Sequence, residues 1–390
     1  MKVDLLVIGA SFAGLACARA AALAGLRVLV LEKKTSAGAK LHTTGIIVKD
    51  AVDSVPWLAE VPSALVRRVE GVRLYAPNMR HVDLHAPGYY FWATDAPGLL
   101  DWMVDSARAS GVEVRLGTLF DRATPTADGW RVPLHAGASG GLDASDEQSE
   151  AIEASYLVGA DGPHSRVAKA LGLSRNTQFL YGIEHEYQHA QMAPGFLHCF
   201  IDKQLAPGYI GWALEGVGVS QVGLARRMAG PKRRSQAAEG GKDAASAPLR
   251  LEPLLRKIAP VVSVGAAPAV AVRAGMIPCG GVLAVVARER ALLVGDAAGM
   301  VSPVTAGGIH TALQHGERAG EAIARFVRGE VDDPSTWFVR SYPDFRIKRA
   351  LRWGFDHFQS DWLFNRLLAT APMRRAAERI YFHRKAGPLS

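Results

Sequence analysis

Cysteine is scarce in this 390-residue chain: Cys17, Cys199 and Cys279 stand far apart and make no metal-ligand spacing. No disulfide framework and no metal are therefore expected, and a reducing, cytoplasmic setting is the natural reading. Long hydrophobic runs are also missing. None approaches the ~18 residues of a membrane span, and Asp4 interrupts any apolar leader. Internal repeats are absent. A zinc-finger, RNA-binding or basic-region motif is absent too, so the net charge of +8 does not indicate a nucleic-acid partner. What remains, 49% hydrophobic and 21% charged residues, is the composition of a globular protein with room for two or three domains. Two stretches, 135–150 and 229–248, are rich in Gly, Ala, Ser and charge and read as surface insertions.

The information is concentrated at the start. Val3-Asp4-Leu5-Leu6-Val7-Ile8 is an apolar run suited to one buried strand, Gly9 turns the chain, and an alanine-rich helix follows until Gly25. A second apolar run, Val28-Leu29-Val30-Leu31, ends on Glu32. This is the order of a βαβ dinucleotide-binding unit, with an acid about twenty residues beyond the turn. Small residues at Gly9, Ser11, Ala13 and Gly14 let backbone amides at a helix N-terminus approach a pyrophosphate, and Glu32 can accept from a ribose hydroxyl. An acid there suits FAD or NAD better than NADP.

Two further motifs follow. Tyr156-Leu157-Val158-Gly159-Ala160-Asp161-Gly162 is a strand ending in an acid, with Ser165 and a helix beyond it. Ala291-Leu292-Leu293-Val294-Gly295-Asp296-Ala297-Ala298-Gly299 is another, and Gly307-Gly308-Ile309 opens a long helix. Each places a carboxylate where open α/β sheets bind ligands, and the glycine pair offers amides at a positive dipole end.

In this order the motifs resemble those of the group A flavoprotein monooxygenase (p-hydroxybenzoate hydroxylase-like) superfamily, and most of all its geranylgeranyl reductase branch. Val294 to Ile309 is similar to that branch's glycine-rich signature, and Gly275-Met276-Ile277-Pro278-Cys279-Gly280-Gly281 to its upstream segment. The resemblance implies non-covalent FAD. Gly9, Ser11, Ala13 and Gly14 would then cradle the pyrophosphate, with Glu32 and Lys33 at the adenosine ribose and Phe120 near adenine. Asp161 would support the cofactor's middle, Gly295 and Asp296 would meet the ribityl chain, and Gly307, Gly308 and Ile309 would face the pyrimidine edge. It further implies reduction of a carbon–carbon double bond in an apolar, isoprenoid-like substrate, with NAD(P)H or a ferredoxin-type donor as reductant. A monooxygenase and a flavin-binding redox protein are the alternatives.

The expected fold is α/β: a GR2-type FAD-binding Rossmann domain (1–75, 96–180 and 272–335) interleaved with a mixed β-sheet substrate domain (76–95 and 181–271), then a C-terminal helical segment (336–390). The sequence departs from the branch in several places, among them the absence from Asp95-Ala96-Pro97-Gly98 of an arginine common near the start of the following helix. The loop Lys40-Leu41-His42-Thr43-Thr44-Gly45 carries no thiol where a Cys-Gly pair is usual. Tyr209-Ile210-Gly211-Trp212 stretches the spacing of a lipid-facing Tyr-x-Trp motif by one residue. His42 is the candidate proton donor, and Thr43, Thr44, Tyr209 and Trp212 are the candidate substrate lining. In the C-terminal segment, the spacing of Phe355, Phe358 and Trp362 predicts a core-facing stripe, with peripheral membrane contact as the second reading.

Overall fold

The computed structural model describes residues 1–41, 43–134, 151–228 and 249–382. His42 and the expected insertions 135–150 and 229–248 lie outside the described residues.

Strand Lys2–Ile8 is the centre of the first sheet because Leu5, Leu6 and Val7 are buried on both faces, as a parallel strand under helices requires. It pairs in parallel with Val28–Leu31 on one side and Ala151–Gly159 on the other. Glu113–Arg115 extends the sheet beyond the former and Ala291–Leu293 beyond the latter, again in parallel. All three sequence motifs therefore sit at the C-terminal ends of three neighbouring strands.

Helix Phe12–Leu23 and helix Ile309–Val327 pack almost backbone to backbone. A Cβ at Gly316 would lie 2.3 Å from the Ala13 carbonyl oxygen, and one at Gly320 would lie 2.2 Å from that of Cys17. The alanine-rich composition of the first helix is what permits this approach. It also carries the start of the second helix to the glycine turn of the first.

The second sheet is mixed. Its seven strands run in the order Ala271–Pro278, Phe179–Tyr187, Ser220–Arg227, Gly211–Glu215, Phe196–Phe200, Gly71–Tyr75, His81–His85. Only the contact between Phe196–Phe200 and Gly71–Tyr75 is parallel. Strand pairing places Gly71–Tyr75 and Ala271–Pro278 here, although both were expected on the cofactor side of the boundary. Both sit where the chain passes between the sheets, and local pattern does not show which sheet takes up a strand there. Ile46–Val48, Phe91–Thr94 and Val66–Val69 form a small third sheet.

Helices Arg346–Phe358, Asp361–Leu367 and Ala371–Phe382 close the chain. The expected core stripe is not there: Phe358 is 68% and Trp362 65% exposed. The first helix ends at Phe358, so the two residues never share one helical face. Helical spacing also gives no direction, since an outward stripe has the same period as an inward one. Arg352 and Gln359 turn inward instead. Gly208 N–H donates to Gln359 Oε1 at 2.8 Å, and Arg352 donates to the Gly208 carbonyl and pairs with Asp356. Leu368, Ala377 and Phe382 complete the attachment, buried with Leu84 and Phe91.

Candidate cofactor and substrate site

The glycine turn is built tightly. Gly9 has φ +107°, a region L side chains avoid, and its amide donates to the Leu31 carbonyl at 2.8 Å. A Cβ at Gly14 would stand 2.1 Å from the Gly9 carbonyl oxygen. Ser11, the departure from the glycine fingerprint, caps the first helix by accepting from Gly14 N–H at 3.3 Å. Its hydroxyl also donates to the Ala160 carbonyl at 2.9 Å, which fastens the first motif to the second. The third motif meets the first at Ala13, whose Cβ would be 2.9 Å from a Cβ on Gly295.

Glu32 is buried, and its two oxygens accept from Ala10 N–H at 2.9 Å and Lys34 N–H at 3.0 Å. Each oxygen keeps a second lone pair for a ribose hydroxyl. Lys33 is exposed, whereas Lys34 turns inward to the carbonyls of Ala37 and Ala39. Phe120 is buried at the end of a segment tied back by Thr118 N–H to the Glu32 carbonyl. Asp161 is occupied as a cap: it accepts from the Ser165 hydroxyl at 2.6 Å and from Arg166 and Val167 N–H. Burial pushes its carboxyl up, opposed by these bonds.

Asp296 differs. Among the described residues no donor meets its carboxylate, and burial alone pushes it up to about 6. Its Oδ1 lies 3.4 Å from where a Cβ on Gly308 would be, so the carboxylate stands beside the residue that opens the 19-residue helix Ile309–Val327. An unpartnered, desolvated carboxylate next to a helix N-terminus fits a ligand bearing hydroxyls and a developing negative charge. The crowded turn, Glu32, Asp296 and the Gly307–Ile309 end together fit FAD.

The expected substrate side faces this end. The Tyr209 hydroxyl donates to the Thr305 carbonyl at 2.6 Å. Tyr209 and Cys279 form an apolar cluster with Trp212 and Ala306, the residue before Gly307. Gly182 and Gly223 leave room for the Trp212 indole: a Cβ on Gly223 would lie 2.4 Å from its ring. The indole N–H donates to Glu184 Oε2 at 2.8 Å, and the Thr44 hydroxyl donates to the same oxygen at 2.6 Å. Thr43 is held through its carbonyl, which accepts from Arg273 at 3.3 Å. The three thiols are buried, and burial raises those of Cys17 and Cys199 to about 12, so neither is a thiolate at neutral pH.

Glu184 escapes the motif reading. The available signal is the alternation of Glu184 and Glu186 on strand Phe179–Tyr187, two acids on one face of a strand whose other residues are largely apolar.

A family model described as an FAD binding domain matches residues 2–346. The chain belongs to this family. It is 29% identical over 361 residues to digeranylgeranylglycerophospholipid reductase 2 of Methanopyrus kandleri, covering 88% of this chain and 82% of that one. A reductase of the same name (number 1) from Methanothermobacter thermautotrophicus is also 29% identical, over 339 residues, covering 84% of this chain and 78% of that one. Among solved structures, a geranylgeranyl bacteriochlorophyll reductase-like protein from Thermoplasma acidophilum superposes with a TM-score of 0.78 at 15% identity, over 98% of this chain and 97% of that one. A flavin-dependent brominase superposes with 0.68 at 14% identity, covering 98% and 94%. At such identities the structures establish the shared fold, and the expected α/β architecture with its FAD-binding domain and helical C-terminus is the one observed.

Proposed function

We propose that this protein is an FAD-dependent reductase that saturates carbon–carbon double bonds of an isoprenoid-like lipid. The observation that carries this reading is the packing of Tyr209 and Trp212 with Ala306, which sets an apolar wall beside the flavin-binding loop. Similarity to digeranylgeranylglycerophospholipid reductases over most of the chain supports the same chemistry. Reduced FAD supplies a hydride to one alkene carbon. The chain's part is to hold the alkene against the Tyr209 and Trp212 wall, exclude water, and supply a proton to the other carbon.

Anaerobic, pre-reduced protein mixed with a geranylgeranyl glycerophospholipid tests the proposal. The expected result is flavin reoxidation with two hydrogens gained per double bond by mass spectrometry. Reoxidation only on admitting oxygen, with an oxygenated product, would replace the reductase by a monooxygenase. Reduction by NAD(P)H compared with a reduced ferredoxin identifies the donor. Removing the indole in Trp212→Ala should raise the apparent KM for the lipid roughly tenfold or more, from lost apolar burial, with FAD occupancy unchanged.

The C-terminal helices support a route for the lipid. Ile347, Trp353, Phe358 and Trp362 are 79%, 58%, 68% and 65% exposed, interspersed with Arg346, Lys348, Arg349 and Arg366. A cavity of about 390 Å³ is lined by Ile347, Lys348 and Leu351 of this surface and by Val304 and Thr305 of the flavin loop. Among the described residues no helix is long and apolar enough to cross a membrane. This aromatic and cationic surface therefore serves as a peripheral contact with an anionic bilayer. Wild-type protein should sediment with anionic vesicles and be released by salt, whereas a Trp353→Ser, Phe358→Ser, Trp362→Ser triple variant should stay in the supernatant with its flavin retained. Equal sedimentation of both would remove the membrane role.

A further inference from the structure

We propose that Glu184 stores the proton for this saturation and that the Thr44 hydroxyl hands it to the substrate. The inference rests on the reductase reading above. Its basis is a convergence: Thr44, on a loop, and Trp212, on a strand of the second sheet, both reach the same oxygen of one buried carboxyl group.

The surroundings favour the protonated form of this carboxyl. Four elements face it. Thr44 comes from the loop after the first domain's second strand, Trp212 from Gly211–Glu215, Gln221 from Ser220–Arg227 and Arg273 from Ala271–Pro278. Glu186 lies on its own strand. Arg273 is the cationic group among them, and its guanidinium pairs with Glu186 at 2.6 Å, not with Glu184. Glu184 is thus a carboxyl in a desolvated place whose neighbouring cation is already committed. Burial raises its pKa, and the Thr44 and Trp212 bonds and Arg273 only partly oppose this.

The step balances without further groups. The hydride electron pair, from reduced flavin, makes the first C–H bond. The alkene π pair makes the second with the Thr44 hydroxyl proton. The Thr44 oxygen takes the Glu184 proton across their 2.6 Å contact, leaving a carboxylate that solvent reprotonates. That separation serves either direction of donation. With Glu184 protonated, its O–H donates to Thr44 Oγ1 and frees the threonine hydrogen.

A plain tie-rod between loop and sheet would make the same contacts, so the variants must separate holding from proton storage. Glu184→Gln keeps an acceptor for Thr44 and Trp212 but has no acid proton. In single turnovers of pre-reduced, flavin-loaded protein, it should slow saturation about 100-fold. The fall in rate that the wild type shows as pH rises through the Glu184 pKa should vanish. FAD content and flavin reduction by the donor should stay unchanged. Thr44→Val should behave like Glu184→Gln, and Thr44→Ser should restore the rate. In the flavin-free protein, the infrared band of a protonated carboxyl should be present in the wild type and missing in Glu184→Gln.

Wild-type rate and pH profile in Glu184→Gln, or full activity in Thr44→Val, would overturn the relay. So would an infrared spectrum at neutral pH that is the same in wild type and Glu184→Gln. If the wild type itself saturates no isoprenoid lipid, the reductase reading fails, and the infrared comparison still decides separately whether Glu184 holds a proton.

Discussion

Replacing Gly14 with valine is expected to yield protein that cannot hold FAD and melts well below the wild type. The first atom of the new side chain would lie 2.1 Å from the Gly9 carbonyl oxygen and 3.0 Å from the Ala160 Cβ. The nearer obstacle is backbone, which has no rotamer through which to escape. Forcing extra carbons into a packed interior costs about 1–3 kcal/mol where neighbours can shift, and more where they cannot. Any relief must move the Gly9 turn, the very segment whose amides would face the pyrophosphate. Gly25 is the control: unlike helical Gly14 it has positive φ, +92°, but nothing lies near its missing Cβ. Gly25→Ala should show only modest backbone strain and load FAD normally. Flavin absorbance of the purified proteins, with melting curves taken with and without added FAD, checks both. A Gly14→Val protein with full flavin occupancy would mean that the cradle lies elsewhere.

Much of the cofactor side was legible because it is local. A strand, a turn that only small residues allow, and a helix follow one another within some thirty residues. The physical demand for Gly9 and Gly14 is met by near neighbours in sequence or by the adjacent strand. The same holds for Asp296 and the glycines before Ile309. What local pattern does not convey is which carboxylate is free: Asp161 and Asp296 end similar strands, yet Asp161 is consumed as a helix cap while Asp296 meets no donor among the described residues.

The proposed substrate side was less legible because its contacts are long-range. Thr44 and Trp212 stood out as separate candidates, and nothing in their spacing says that they share Glu184, 140 residues from Thr44 and 28 from Trp212. The C-terminal helices show a different limit. Phe355, Phe358 and Trp362 carry helical spacing, but burial depends on what faces the helix. Here the inward positions are taken by Arg352 and Gln359, because the Gly208 backbone offers them hydrogen bonds. Polarity was turned inward by a loop that lies some 140 residues earlier in the chain.

The Asp296 carboxylate makes predictions of opposite sign for the stability of the flavin-free protein and for its affinity for FAD. Without flavin, burial holds it at about 6, above the value near 4 of an unfolded chain. The folded state therefore binds the extra proton between these values, and stability must fall as pH rises from about 4 through about 6. The loss is on the order of 3 kcal/mol and persists at neutral pH. Asp296→Asn cannot ionise, so flavin-free variant protein should melt higher than flavin-free wild type at pH 7. The two should converge near pH 4. With FAD this advantage should shrink, because a hydrogen bond from a ribityl hydroxyl to a charged acceptor is worth about 1.5–3 kcal/mol and the amide recovers only part of it. FAD affinity of Asp296→Asn should drop about 10- to 100-fold, measured by titrating flavin-free protein and following flavin fluorescence. Lower stability of the flavin-free variant at pH 7, or unchanged FAD affinity, would show that this carboxylate is held by the protein itself and is not waiting for a ligand.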